Sequence, residues 1–378
     1  MEIERFEDYF INTVLPVWAS TAFDETAGQF MEGLQLDGAP DPSGIVRTRT
    51  AARQIYVFAQ AAVLGVAPQG ALDKAETAFA NLRKVAWVDG PAPGYARALH
   101  YPTAKITDPE RDLYDHACVL LALAWLSKAA GKARYQSYID EIIAAMDLTL
   151  AAPAGGWAED GAGRLPRRQN PHMHYLEACL ALWETGHGEA YAARAGQLLV
   201  LFQTRFFDEE TGALREFFGP GWETEEAYGS HRLEPGHMAE WVWLLRRYTI
   251  LSGNDQSTAG ARLLEAAVRI GRSGETSFLV DEVLISGEPS KASRRLWPQA
   301  ELLKALVVEG HAQDRADYRT DAERMIAALF ETYLAETPAG TWRDCFDGDG
   351  QPIATSIPAS SLYHLWTVIP ELLRLKST

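Results

Sequence analysis

Residues 234–245 read Glu-Pro-Gly-His-Met-Ala-Glu-Trp-Val-Trp-Leu-Leu. Pro235 suits a first helical turn, where its missing N–H is not needed. His237, Glu240 and Trp241 follow at i, i+3 and i+4 and share one face of that helix. A surface helix needs only a cap at such a point, yet here an imidazole and a carboxylate stand together. Comparable polar starts occur at Arg47–Arg53, Asp112–His116, Asn170–His174, Arg294–Glu301 and Ser360–His364. With Arg53, His116, His172, His237, Trp297 and His364 as markers, successive separations are 63, 56, 65, 60 and 67 residues. Six recurrences at so regular a spacing read as six helical hairpins.

Working outward, apolar residues recur at three- and four-residue spacing through most of the chain, and alternating β-type runs are scarce. The spacing predicts helices over 5–20, 47–64, 71–87, 113–130, 134–150, 172–186, 188–206, 236–252, 259–273, 294–310, 316–334 and 359–375. Short links at 65–70, 131–132 and 186–187 alternate with long ones at 21–46, 88–112, 151–171, 207–235, 274–293 and 335–358. Every long link precedes an even-numbered helix, so an up-down path gathers all six at one end of the molecule. The expected fold is all-α: an (α/α)6 barrel of twelve helices in six hairpins, one domain over residues 1–378. Its inner helices would aim their first turns into a pocket walled by the long links.

Composition sets outer bounds. The 378 residues are 47% hydrophobic and 23% charged, which is ordinary for a globular chain. Thirty-five basic against 51 acidic residues give a net charge of −16, which repels phosphate backbones and argues against a nucleic-acid partner. The most apolar run, 117–126, is half of what a bilayer span needs, and residues 1–10 lack the pattern of a signal peptide. A soluble, cytoplasmic protein with no membrane partner is expected, and homo-oligomers are compatible with this reading. Cys118, Cys179 and Cys345 have no C-x-x-C spacing, so neither a disulfide framework nor a zinc site follows.

Several segments carry groups suited to chemistry. The carboxylate of Glu240 beside His237 can fix its tautomer or raise its pKa, although an isolated pair reads more readily as a capped helix start with a satisfied buried histidine. His172 and His174 resemble a metal-binding H-x-H. On a helix, however, residues two apart point roughly 200° apart and cannot converge on one ion. One of the two is expected to face the pocket and the other to pack between helices. Trp297 and Glu301, four apart, can line one face; an aromatic ring beside a carboxylate is a common sugar-binding surface. Arg53 places an always-charged group in an apolar helix, where it needs a partner or a ligand. Asp112 and Asp115 read as solvated first-turn charges, with His116 as a wall residue. There is no P-loop, dinucleotide fingerprint, G-x-S-x-G or H-E-x-x-H, so no nucleotide, flavin or metal cofactor is expected. Core-packing histidines have no evident reason to share one end of a barrel, and the gathering of Arg, His and Glu there points to an active site.

The set R-Q-x-Y-x-F at 53–58, N-P-H-M-H-x-L-E-A at 170–178, E-P-G-H-x-x-E-W at 234–241, R-L-W-P-Q-x-E at 295–301 and the late His364 resembles the N-acylglucosamine 2-epimerase superfamily, nearest its mannose isomerase and sulfoquinovose isomerase branch. The resemblance implies an (α/α)6 barrel and cofactor-independent proton transfer at C2 of an open-chain monosaccharide. It assigns His364 and His237 as the acid/base pair and Glu240 as the group that orients His237. It also implies that Arg53 and His172 donate to the sugar O1/O2 region, with Trp297, Glu301, Asn170, Tyr56 and His116 contacting substrate. Aldose–ketose isomerisation of D-mannose and D-fructose leads; a sugar 2-epimerase, or an isomerase of sulfoquinovose or a hexose 6-phosphate, follows. More distant are an (α/α)6-barrel glycoside hydrolase, which needs two carboxylates flanking a sugar bond, and a non-catalytic sugar-binding protein.

Overall fold

The computed structural model describes residues 1–41, 44–272 and 276–377. These form twelve long helices. Helix α1 runs Glu2–Tyr9, passes through a π-helical turn at Phe10–Val14 and continues as Leu15–Ser20. Then come α2 (Thr48–Val63), α3 (Ala71–Ala86), α4 (Leu113–Ala130), α5 (Gln136–Thr149) and α6 (Gln169–Glu184). Helix α7 (Glu189–Leu201) is prolonged by a π-helical turn at Phe202–Phe206, and α8 (Pro235–Ser252), α9 (Ser257–Gly271), α10 (Leu296–Ala312), α11 (Ala316–Glu331) and α12 (Ala359–Ser377) follow. The expected end of the ninth helix at 273, and the start of the link at 274, lie outside the described residues.

The even-numbered helices form the inner layer. Each packs on the next, from α2 through α4, α6, α8 and α10 to α12, and α12 packs back on α2. The odd-numbered helices lie outside them, so the architecture is an (α/α)6 barrel. The difference in position is written in the side chains. The run Ala117–Leu126 in α4 is buried throughout, because an inner helix meets protein on every side. Outer α3 buries only one stripe, at Ala71, Ala75, Ala78, Phe79, Leu82 and Ala86. No described helix is long and apolar enough to cross a membrane.

The long links contain something the sequence did not signal: short strands that tie each link to the next. Ile45–Arg47 pairs with Ala98–His100, Arg167–Arg168 with Phe217–Phe218, Arg232–Leu233 with Glu282–Leu284, and Arg294–Arg295 with Cys345–Phe346. A bridge between Asp112 and Asp160 joins the second and third links. Ile357–Pro358 pairs with Gly33–Leu34 and closes the circle. Gly33 is required there, since a Cβ would come within 2.5 Å of the Ile357 carbonyl oxygen. The result is a hoop of six links around the mouth of the barrel.

Candidate active site

Each inner helix begins at the hoop, and an alternating set begins with the same clamp. The backbone N–H of Arg47 donates to Glu32 at 2.9 Å, that of Arg168 to Glu159 at 2.8 Å and that of Arg295 to Asp281 at 2.9 Å. In each case the same carboxylate also holds that arginine's guanidinium. A loop carboxylate thus satisfies an N–H at the helix start and fixes the strand-to-helix corner. At α4 the cap is Asp112, which accepts from the Tyr114 N–H at 2.8 Å.

The first turns surround a cavity of about 360 Å³. Its wall includes Arg53, Tyr114, Asn170, His174, His237, Glu240, Trp297 and His364. The indole of Trp297 lies between the two imidazoles, with ring centroids 5.0 Å from His237 and 5.3 Å from His364. His364 Nδ1 donates to Glu301 Oε1 at 2.7 Å, and Glu301 in turn pairs with the buried Lys304 at 2.6 Å. Nδ1 of His237 donates to Glu216 Oε2 at 3.1 Å, with Glu234 at 3.7 Å, and its Nε2 lies 3.2 Å from the Asn170 amide.

These surroundings drive the two imidazoles apart. Burial pushes His364 down, the cations Arg53 and Lys304 push the same way, and Glu301 only partly offsets them; it titrates at about 4. Burial would lower His237 as well, but Glu216 and Glu234 outweigh it and lift this group to about 9. At neutral pH one imidazole is therefore a base with a free Nε2 and the other is an imidazolium. Glu240 is pushed well above the usual carboxylate range by burial and by the neighbouring Glu301, which favours its protonated form. Neither of its oxygens has a hydrogen-bond partner among the described residues. Arg53 donates to Tyr114 Oη at 2.7 Å and to His174 Nε2 at 3.2 Å, leaving its Nε–H unpartnered.

The structure brings most of the expected residues together and places three elsewhere. Arg53, Asn170, His237, Glu240, Trp297 and His364 line the cavity, and Glu301 stands behind His364 rather than on the sugar surface. His172 is fully buried outside it, accepting from the Trp157 N–H at 3.1 Å and donating to the Arg168 carbonyl at 3.0 Å. His174 faces the cavity instead, so the H-x-H pair does split, with the opposite assignment to that expected. His116 repeats the arrangement: it accepts from the Tyr95 N–H at 3.0 Å and donates to the Asp112 carbonyl at 2.7 Å. Both histidines staple a long link to an inner helix, which is a reason for packing histidines to gather at this end. Two residues before His116, Tyr114 faces inward and stacks on His174 at 4.5 Å. Tyr56, one turn further along α2, lines a separate cavity of about 30 Å³ toward the other end of the barrel. Asp112 and Asp115 are buried rather than solvated; burial and Asp112 raise Asp115 to about 8. Glu240 lies 3.8 Å from His174, and the carboxylate on His237 is Glu216.

Among the described residues, three sets bring together the ligand types a metal uses: His174, Glu177 and Glu240; Glu216, Glu234 and His237; and Glu240, Glu301 and His364. Each has a resident cation against it. Arg53 donates to His174, Arg295 lies 3.9 Å from Glu234, and Lys304 pairs with Glu301. A divalent ion would have to displace or tolerate that charge.

The chain matches the N-acylglucosamine 2-epimerase family over residues 28–368. It belongs to that family. It is accordingly an enzyme acting on carbohydrates, a sugar isomerase or epimerase. This N-acylglucosamine 2-epimerase family member is 34% identical to the mannose-6-phosphate isomerase of Rhizobium meliloti (strain 1021) over 371 residues, which cover 96% of this chain and 94% of that one. It is 27% identical to the D-mannose isomerase of Thermobifida fusca over 338 residues, 83% of this chain and 80% of that one. A solved D-mannose isomerase superposes with a TM-score of 0.89 at 18% identity, covering 99% of each chain, a likeness of fold.

The residues that sequence reasoning missed in this family member have different visibility. His174 carried a signal, a carboxylate three residues on at Glu177, which its neighbour His172 lacks; the two bond at 3.1 Å. Tyr114 carried none beyond its place in a first turn. Glu216 lies inside the link 207–235, where no periodicity orients a side chain.

Proposed function

We propose that this enzyme interconverts an aldose and a ketose by moving a proton between C2 and C1 of an open-chain hexose, with D-mannose and D-fructose as the pair. The observation that carries the reading is the placement of two imidazoles on either side of Trp297, His364 held by Glu301 beside Lys304 and His237 held by Glu216 with Glu234, surroundings that push the two titrations in opposite directions. Groups whose surroundings separate their pKa values divide naturally into base and acid.

His364 Nε2 takes the proton from C2 as His237 Nε2–H gives one to O1, and the product of that step is a cis-enediol. His237 then takes the proton from O2 while His364 returns its own to C1. A ketose results, and both imidazoles regain their starting states. Arg53, and Glu240 in the protonated form that its surroundings favour, donate to the oxygens on which charge develops, in a buried setting where such bonds are strongest. His174, held between Arg53 and Glu177, positions Arg53. Asn170 accepts from His237 Nε2–H when its amide is turned to present Oδ1, the atom otherwise left unpartnered. Trp297 offers an apolar face to the sugar carbons.

The test is proton NMR of the purified enzyme with D-mannose in D2O, with chelator present. Fructose as first product, with deuterium at C2 of recovered mannose, supports the reading. Glucose appearing before fructose replaces it with 2-epimerisation, which requires protonation of C2 from both faces. A second reading, the same reaction on a hexose 6-phosphate, is favoured by the name of the 34% identical relative and is tested by the same experiment on mannose 6-phosphate.

A further inference from the structure

Three carboxyl groups are buried inside the ring of inner helices: Glu177 on α6, Glu240 on α8 and Glu301 on α10. Among the described residues, the one Lys or Arg side chain within ion-pair distance of any of them is Lys304, on Glu301. Arg53 is turned onto Tyr114 and His174 instead. Lys304 is itself wholly buried, and its ammonium has three neighbours: Glu301 Oε2 at 2.6 Å, Thr367 Oγ1 at 3.0 Å and the ring of Trp243, with its centroid 3.8 Å away. A lysine so far from water keeps its charge only through partners of this kind.

Those contacts close a circuit around His364. Its Nδ1 donates to Glu301, Glu301 pairs with Lys304, and Lys304 donates to Thr367. The Thr367 hydroxyl then donates to the backbone carbonyl of His364 at 2.9 Å. Glu301 and Lys304 are three apart on α10, and His364 and Thr367 three apart on α12, so two facing helical turns supply all four members. The ammonium also selects which carboxyl is charged. Burial raises all three, but at Glu301 it is outweighed by Lys304 and His364, which hold that group below the usual carboxylate range. Glu177, bonded to Tyr363 rather than to a cation, is lifted to about 7, and Glu240 is pushed well above its ordinary value. The other groups whose charge bears on this circuit are Arg53 from α2, His174 from α6, His237 from α8 and Tyr363 beside His364.

We propose that Lys304 is a positioning residue for this reaction: its ammonium, held on Glu301 and closed through Thr367 onto the His364 carbonyl, keeps Nε2 of His364 bare toward the cavity. The role rests on the isomerase reading only for the use made of that nitrogen. Without the ammonium, an ionised Glu301 is an unpaired buried charge, and such groups take up a proton instead. With Met at position 304 no acceptor faces Oε2, so the hydrogen-bonded place for that proton lies between Oε1 and Nδ1. If Glu301 keeps it, the carboxyl donates to Nδ1 and the ring's own proton moves to Nε2. If the ring keeps it, His364 is an imidazolium. In both cases Nε2 is protonated and has no lone pair to offer.

The test reads the ring nitrogens directly, by nitrogen NMR of the full chain isotopically labelled at histidine, at neutral pH. The His364 signals are assigned by their loss in His364→Gln, and bare and protonated ring nitrogens resonate far apart. The unsubstituted protein should show Nε2 of His364 bare, and Lys304→Met should show it protonated. In Thr367→Val, which breaks the circuit but keeps the ammonium, it should stay bare. With D-mannose, kcat of Lys304→Met should fall by about a hundredfold or more, with KM changed far less. A bare Nε2 in Lys304→Met overturns the proposal, as does the same protonation in Thr367→Val, which would assign the effect to packing. Should Lys304→Met fail to fold, a protonated Nε2 in the unsubstituted protein overturns it without any variant. If the nitrogen signals behave as expected but the unsubstituted enzyme converts no hexose, the isomerase reading fails and the control by Lys304 stands. If mannose is converted and Nε2 stays bare without the ammonium, the reverse holds.

Discussion

Glu301 accepts from Nδ1 of His364 at 2.7 Å, and that single bond decides which nitrogen is left to face the cavity. With the Nδ1 proton committed to a carboxylate, Nε2 carries the lone pair. Glu301 stays ionised because Lys304 sits against it, 2.6 Å away and itself fully buried. Glu301→Gln can offer an N–H to Nδ1 and so invert the tautomer. The expected result is a fall in kcat of about a hundredfold or more, the range lost when a positioned base is disabled, with KM changed far less. A kcat within threefold of the parent, measured on folded protein, would sink the assignment of His364 as base.

The separated titrations give a pH profile with its sign fixed. The proposed mechanism needs neutral His364 and protonated His237. Acid below about pH 4 protonates the first, and alkali above about pH 9 deprotonates the second. With free D-mannose, which does not titrate in this range, kcat/KM should rise through the lower value, run flat and fall through the higher. Glu216→Gln removes the carboxylate nearest His237, so the alkaline limb should move down toward the ordinary histidine range near 6.5. An alkaline limb unmoved by that change would mean another group is being read.

His172 and His174 should behave oppositely when replaced. His174→Ala removes the acceptor of Arg53 and an inward-facing ring, so kcat/KM should drop by about tenfold or more at little cost in activity-independent stability measures of the outer links. His172→Ala leaves the Trp157 N–H and the Arg168 carbonyl without their partner. It should lower the urea midpoint, at about 1–3 kcal/mol for a buried donor left unsatisfied, while the specific activity of folded protein stays near that of the parent. Denaturation curves alongside initial rates settle the pair.

Gly236 offers a subtler perturbation. A Cβ there would lie 2.7 Å from the ring of Trp297 and 2.8 Å from Pro298. Gly236→Ala must therefore displace the indole that lies between the imidazoles of His237 and His364. Because the backbone at this position is helical, folding should survive, and the loss should appear as a raised KM together with a lowered kcat. A variant with parental values of both would show that Trp297 has room to move without consequence.

The twelve helices were legible because burial repeats every three or four residues, and the alternation of short and long links was enough to order them into two layers. Rotation about a helix axis was harder to read. His172 and His174, like His116 and Tyr114, stand two apart; one of each pair must face inward, but the inner helices are apolar on every side and give no moment to orient them. Depth was a second difficulty. Tyr56 shares a motif with Arg53 but sits three residues on, about 4.5 Å further along the barrel, enough to leave the mouth. The strands of the hoop are two or three residues long, too short for alternation to register, and Glu216 depends on one of them, since it immediately precedes Phe217–Phe218. What sequence carried was periodicity; what it withheld was everything fixed by loops leaning on loops.

The hoop closes through Gly33–Leu34 against Ile357–Pro358. On the ribosome, Arg53 emerges early, and His364 only after five hairpins have been made. Until that late strand meets its early partner, the mouth has a gap and His364 is missing from it. The wall of the cavity is whole only when translation has supplied all six repeats.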